Sequence, residues 1–382
     1  MVTMIKRTYW IKLIEKALAR RSIVWLRGVR RAGKTFLCKN LPGIKYFDCE
    51  MPDTRKRLSE ESFLQDNKGK FLALDEVHKL DNPSQLLKIA ADHYPETKII
   101  ATGSSLLETI KKFSDTLTGR KATVFLTPAT ALDAEEFGID NIETRMLYGG
   151  LPPFLMSGEK HKSEYNEWMD SYWAKDITGL FRLEKRDSFM KLMERIFNQS
   201  GGMFDAGKFA AACEVSRITV KNYLAALEAT AVAYVIRPFS GKNANEIVSM
   251  PKIYGFDTGF VSFVKGWDSL RNADYGVMWE HLVLNELAAA VQDGRIYYWR
   301  DKQKHEIDFV LKGPRLAAHA IECKWQSARF DPANLDIFRK YHPAGDNYVV
   351  SHDITEPRTE KTGKLKIHYI GIKDLVKIAS PD

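Results

Sequence analysis

With 382 residues and 45% hydrophobic content, the chain has material for two or three cores. Its 57 Lys and Arg against 49 Asp and Glu leave a net charge of +8, which favours a polyanionic partner without naming one. No apolar run approaches the roughly 20 residues of a membrane helix, and the start of the chain lacks a secretory pattern. Cys38, Cys49, Cys213 and Cys323 lie too far apart for a metal motif or a disulfide framework. A membrane protein and a disulfide-stapled domain are therefore not expected, and a cytoplasmic location is.

In chain order, the run 22–27 (SIVWLR) is short, apolar and β-branched, as a buried strand is. The glycine-rich octad Gly28-Val29-Arg30-Arg31-Ala32-Gly33-Lys34-Thr35 follows directly, and a helical stretch continues through Phe36. Strand, loop and helix in this order let backbone N–H groups surround phosphates, so residues 28–36 are the expected ATP-binding loop. Lys34 would reach the β- and γ-phosphate oxygens, and Thr35 would place its hydroxyl on Mg²⁺. Phe71-Leu-Ala-Leu-Asp75-Glu76 then supplies a buried strand with two carboxylates at its C-terminal end, where ligands gather in α/β sheets. Asp75 would hold Mg²⁺ through water, and Glu76 would orient or deprotonate the attacking water.

Strands are also expected at Lys45-Tyr-Phe-Asp-Cys, at Lys98-Ile-Ile-Ala-Thr and at Ala122-Thr-Val-Phe-Leu. Five strands alternating with helices fit a doubly wound α/β sheet with an extra strand between the phosphate loop and the acidic pair. Thr102 and Ser104, at a strand end, are candidates for sensing the γ-phosphate, with a plain turn as the alternative. Arg120 is a candidate arginine finger, in cis or in trans, with a surface ion pair as the alternative.

These residues, together with Arg7, Tyr9, Asp75-Glu76-Val77-His78, Gly119-Arg120, Leu126-Thr-Pro-Ala-Thr-Ala-Leu-Asp-Ala-Glu-Glu-Phe137 and Tyr148-Gly-Gly-Leu-Pro152, resemble the AAA+/STAND-like P-loop ATPases of bacteria and archaea. The particular resemblance is to the family in which the ATPase precedes a C-terminal domain of unknown function. The chain departs from that pattern at Pro128-Ala, where Pro-Leu is usual.

Residues 164–201 carry Trp, Met, Phe and Ile at helical spacing and are expected to form core without chemistry. The stretch 204–228 reads as two helices joined by a short turn, the second capped by Ser216. Arg217, Thr219, Lys221 and Asn222 sit where a recognition helix would touch DNA. A strand, a basic turn near Ser240-Gly-Lys-Asn-Ala-Asn and a returning strand complete the expected winged helix.

Ile307-Asp308-Phe-Val-Leu and Ala318-His-Ala-Ile-Glu322-Cys-Lys324-Trp read as a hairpin of two apolar strands. Glu322 and Lys324 are two apart and share a face, and Asp308 can meet them across the pair. Two carboxylates and a lysine would bind Mg²⁺ or Mn²⁺ beside a scissile phosphate, and Glu280 on an upstream amphipathic helix could join them. The set Glu280, Asp308, Glu322 and Lys324 resembles the PD-(D/E)xK nucleases, with Ile rather than Pro before Asp308. The alternatives are a salt-bridged hairpin or an inactive nucleic-acid clamp. The segment 355–364 reads as a charged surface loop before a last strand and helix.

The resulting division is an ATPase domain at 1–140, a helical linker or lid at 141–203, a winged helix at 204–265, and an α/β restriction-endonuclease-like domain at 266–382. Three readings follow: an ATPase coupled to a nuclease-like domain acting on DNA or RNA, a nucleotide-gated signalling switch, and an ATP-tuned DNA-binding regulator. ATP and Mg²⁺ are the expected ligands, and a nucleotide-dependent oligomer is an open expectation.

Overall fold

The computed structural model describes residues 6–60, 62–103, 115–178, 185–240, 250–292, 296–313 and 317–379. Five strands, β1 (Ile23–Arg27), β2 (Ile44–Asp48), β3 (Phe71–Asp75), β4 (Lys98–Thr102) and β5 (Lys121–Phe125), form a parallel sheet in the order β2-β3-β4-β1-β5. Burial on both faces explains the apolar runs of β1, β3 and β4, while the edge strands β2 and β5 are more polar and less buried. Val24, Leu26, Ala73 and Ile100 enter one core, while Ile23, Trp25, Leu72, Leu74 and Ile99 enter another on the opposite face. The strand lying between β1 and β3 is β4, and β2, next in sequence after the glycine-rich loop, is at the edge.

The helices Ile142–Tyr148, Pro152–Ser157, Lys162–Tyr172 and Arg186–Asn198 follow. Their buried faces meet in an aromatic cluster in which Trp168 stacks on Phe256 and Tyr165 on Phe263. Next comes the short strand β6 (Gly202–Met203), then the helices Ala206–Cys213 and Arg217–Ala229, the latter capped by Ser216, whose Oγ accepts from Thr219 N at 3.0 Å. Strands β7 (Ala233–Pro238) and β8 (Lys252–Gly255) pair antiparallel, and β6 joins β8. The expected basic turn falls largely on 241–249, outside the described residues.

After the helices Thr258–Val264 and Tyr275–Val291 the chain forms β9 (Ile296–Arg300), β10 (Glu306–Lys312) and β11 (Ala318–Lys324). These are followed by the helix Ala333–Tyr341, β12 (Asn347–Ser351), β13 (Arg358–Thr362), β14 (Leu365–Ile370) and the helix Ile372–Ala379. β9, β10 and β11 are antiparallel, and β11, β12 and β14 run parallel. Because β7 pairs with β9, one nine-stranded sheet runs from β13 to β6 without a break. The segment expected as a surface loop is in part β13: every one of its residues is exposed, and it forms a hairpin on β14 closed at Gly363 (φ 61°).

Candidate functional site

Gly28 turns the chain where a side chain has no room, since a Cβ there would lie 2.3 Å from the Leu126 carbonyl oxygen. Arg31 (φ 63°) and Gly33 (φ 97°) take left-handed backbone before the helix Lys34–Asn40. Gly28, Val29, Arg30, Arg31, Gly33, Lys34, Thr35 and Phe36 line a cavity of about 960 Å³. Lys34 Nζ donates to the Gly28 and Val29 carbonyls at 2.8 and 3.1 Å. Burial holds the Lys34 pKa below its ordinary value, against the pull of Glu76, Asp176 and Asp75.

Opposite, Asp75 is buried at the end of β3, accepting from Tyr46 Oη at 2.7 Å and from the Thr102 hydroxyl. Thr102 Oγ1 in turn accepts from Glu76 N at 3.1 Å. Glu76 sits in left-handed backbone (φ 56°, ψ 44°). A non-glycine residue there costs of order 1–3 kcal/mol, and such outliers cluster at functional sites. Its carboxylate also lies 3.1 Å from His78 Nδ1. Burial pushes the Glu76 pKa up, but the His78 hydrogen bond and the Lys34 charge outweigh it and keep the carboxyl below its ordinary value. Phe137, Pro152, Pro153 and Met156 give the cavity an apolar wall. A π-helical turn, Trp173–Ile177, brings in Asp176, which is 3.0 Å from Arg30 Nε.

In the C-terminal half, Asp308 stands opposite Glu322 in the β10/β11 register, and Lys324 Nζ lies 2.7 Å from Glu322 Oε2 and 3.7 Å from Asp308 Oδ2. A register shift against β9 between Ile307 and Val310 falls at Asp308, the kind of irregularity that re-aims a side chain. Asp308 Oδ2 also accepts from Cys323 N at 2.8 Å. Glu322 is buried, and its Oε1 has no hydrogen-bond partner. Burial first, then the Asp308 charge, raises the Glu322 pKa. Glu280 joins from the helix Tyr275–Val291, its pKa raised by burial and by Asp308 against the pull of Lys252. Lys252 on β8 lies 3.2 Å from Glu280 Oε1, and Tyr254 Oη donates to the same oxygen. Among the described residues no three His, Cys, Asp or Glu side chains converge as a metal cage.

Arg217, Lys221 and Asn222 are exposed at the start of the second helix of the pair, while the Thr219 hydroxyl is bonded to Ser216 Oγ at 2.8 Å. Arg217 and Lys221 line a surface groove with Arg237, Met250, Pro251 and Tyr297, in which Asp205 and Glu228 also lie.

Against protein-family models, residues 20–137 match the AAA domain. The N-terminal domain is an AAA-type P-loop ATPase. Residues 139–271 and 275–371 match two domains of unknown function, DUF8612 and DUF4143. Uncharacterized proteins of Mycobacterium tuberculosis and Mycobacterium bovis are each 27% identical over 312 residues, spanning 78% of this chain and 69% of the relative. Among solved structures, the Walker-type ATPase of Pyrococcus abyssi aligns at TM-score 0.45 and 15% identity, over 68% of this chain and 96% of the other. The Cdc6p protein of Pyrobaculum aerophilum aligns at TM-score 0.30 and 11% identity, over 69% and 94%.

The AAA domain brings its loop and Glu76 to one cavity; Asp75 lies buried behind it on Tyr46 and Thr102, and three further expected residues are placed elsewhere. Thr102 is fully buried between Asp75 and Glu76, because its strand position aims it at β3; the next residue, Gly103, reaches the cavity, and Ser104 lies outside the described residues. Ala32 is buried beneath the loop, its carbonyl accepting from Arg7 Nη1 at 2.7 Å. Arg120 does not line the cavity in its own chain. Its guanidinium forks Asp92 at 2.7 and 3.0 Å, the ion pair that stands as the alternative to a finger.

Sequence reasoning assigned no role to Arg7, Asp133, Asp176 or Lys252. Arg7 Nη2 is 2.7 Å from Asp133 Oδ2, both fully buried, and together they hold the loop from beneath. A helix shared with the acidic site ties the AAA domain to the C-terminal sheet. Glu286 Oε1 accepts from Ala131 N at 2.7 Å, and Gln292 bonds both backbone groups of Phe125 on the edge strand β5. Among the described residues no helix is long and apolar enough to cross a membrane.

Proposed function

We propose that the AAA domain's ATP turnover drives or times the action of a nuclease-like C-terminal domain on DNA or RNA. For the first half, a Lys34-bearing glycine loop faces an ionised, strained Glu76 across one cavity. The residues fit a nucleotide: Gly28 admits no side chain, and Lys34 presently rests on carbonyls that phosphate oxygens can replace. Thr35 and Asp75 would hold Mg²⁺, which supplies charge neutralisation of the phosphates. Glu76 would take the proton of the attacking water.

The observation that carries the second half is the pairing of Asp308 with Glu322 and Lys324 on one sheet face, in a helix-β-β-β-helix-β unit beginning at the Glu280 helix. That topology and that set support the PD-(D/E)xK reading. The orphaned Glu322 Oε1, with Asp308 opposite on the neighbouring strand, offers carboxylate oxygens that suit a divalent cation, Mg²⁺ or Mn²⁺. Lys324 would then hold the attacking water or the scissile phosphate. Arg217, Lys221 and Asn222, exposed on their helix, favour a nucleic-acid partner, with Thr219 supporting the helix start. Arg120 is proposed as a finger acting on a neighbouring copy.

The test is cleavage of single- and double-stranded DNA and of RNA in Mg²⁺ or Mn²⁺. We expect cutting by the wild type, lost in both Asp308→Ala and Lys324→Ala with ATPase retained. Cutting that survives both changes would remove the site. A second reading, a C-terminal domain that only binds a partner, is favoured by the lack of a preformed cation cage among the described residues. It predicts nucleic-acid or protein binding without strand cleavage.

A further inference from the structure

Strand β8 lies in the segment 139–271, yet its side chains end among the acids of the segment 275–371. Lys252 is 4% exposed, and its ammonium bridges Glu280, at 3.2 Å, and Glu306. It also lies over the Tyr298 ring at 5.8 Å. Tyr254, two residues on and therefore on the same face of the strand, donates to the very Glu280 oxygen that Lys252 engages. Glu280 thus meets the C-terminal site with one oxygen already held by β8.

Charge makes this arrangement consequential. Two carboxylate pairs adjoin here, Glu280 and Glu306 on Lys252 and Asp308 and Glu322 on Lys324, with Arg300 3.3 Å from Glu306, and the charges of Glu280, Lys252 and Asp308 act on one another. A cluster so balanced attracts a divalent cation far less than the same carboxylates would alone. Lys324 belongs to the proposed chemistry, whereas Lys252 comes from outside the domain and sits on the helix-borne acid. The two residues before it, Met250 and Pro251, line the groove beside Arg217 and Lys221, so the strand joins the recognition helix to the acidic site.

We propose that Lys252 is an internal counter-cation, supplied by the preceding domain, that occupies Glu280 and sets the divalent-cation affinity of the C-terminal site. The proposal rests on the metal-dependent nuclease reading of that site. Removing the ammonium leaves the carboxylates under-compensated, so affinity rises.

The experiment measures Mn²⁺ binding to the full-length chain by calorimetry and electron paramagnetic resonance, without nucleic acid. Nucleotide is left out so that the ATPase site contributes little, and an Asp308→Ala control identifies the C-terminal signal. Lys252→Met is expected to tighten the Asp308-dependent binding about tenfold or more, and Lys252→Arg to stay at the wild-type value. Lys252→Gln, which keeps a hydrogen-bond donor while removing the charge, is expected to move with Lys252→Met and serves if the latter does not fold. Unchanged or weaker Asp308-dependent binding in the charge-removing variants would overturn the counter-cation while leaving the metal site standing. Absence of Asp308-dependent binding in wild type and variants alike would overturn both.

Discussion

The two sites of this chain use the same groups, lysine and carboxylate, in opposite ways. In the AAA domain Lys34 is held off the acids by the carbonyls of its own loop, while Asp75 is held by Tyr46 and Thr102. In the C-terminal site the ammonium groups of Lys324 and Lys252 sit directly on Glu322 and Glu280. Backbone carbonyls are weak partners that phosphate oxygens exchange for easily, whereas a buried ion pair must be broken against a strong attraction. The first site is therefore poised for a ligand, and the second is engaged by its own cations, with the buried Glu322 Oε1 left without a hydrogen-bond partner. The lesson is that similar residue inventories differ in readiness according to where their counter-charges come from.

The largest expected effect is at Lys34. Lys34→Ala should weaken ATP binding about 100-fold or more, since charge-assisted bonds to phosphate are lost, and titration calorimetry will read it; near-normal affinity would break the contrast at its stronger end. Glu76→Gln should keep ATP affinity and cut turnover about 100-fold or more. Turnover at the wild-type rate would remove the water-activating role.

Arg7→Ala tests whether the loop is held from beneath. It strands Asp133 in a buried position, so a loss of about 3 kcal/mol or more is expected in denaturant unfolding; a loss below about 1 kcal/mol would mean water replaces the pair.

Glu286, on the helix joining the two sites, sharpens the comparison through pH. Burial lifts its pKa from 4.5 to about 8. The folded chain keeps this proton where the unfolded chain has released it, so its contribution is full below about 4.5 and is lost as pH rises toward about 8. Stability should decline across that window by up to about 1.4 kcal/mol per pH unit, and Glu286→Gln should flatten the decline. An unchanged slope in the variant would assign it to other groups.

The smallest effect is at Arg120. With the Asp92 pair partly exposed, Arg120→Ala should cost less than about 1 kcal/mol of stability. A finger acting in trans additionally predicts wild-type ATPase that rises more than linearly with protein concentration. Strict proportionality would leave Arg120 as a surface ion pair.

How much of this was legible in sequence follows from how local each feature is. The octad 28–35 encodes its geometry in contiguous residues, so strand, loop and helix can be read together. β3 is legible because four apolar residues in a row precede two acids. Lys252 is not legible, because its partners Glu280 and Glu306 are distant in sequence and no spacing rule connects a middle-domain strand to them. The Arg7–Asp133 pair hides for the same reason, at a separation of 126 residues. β13 escaped because an exposed edge strand of charged and Thr residues shows no apolar alternation, and β-pairing there comes from its hairpin partner. The side-chain directions of Thr102 and Arg120 depend on neighbouring strands and helices that propensity does not order.

The helix Tyr275–Val291 carries both Glu280 and Glu286 and is the proposed link through which nucleic-acid engagement would act on nucleotide turnover. The most direct measurement is steady-state ATP hydrolysis by the full chain, with and without single-stranded DNA, double-stranded DNA and RNA, using Glu76→Gln as the blank. Coupling through this helix predicts turnover stimulated several-fold by at least one of these polymers. Turnover indifferent to all three would contradict it and leave the C-terminal domain as a module that binds some other partner.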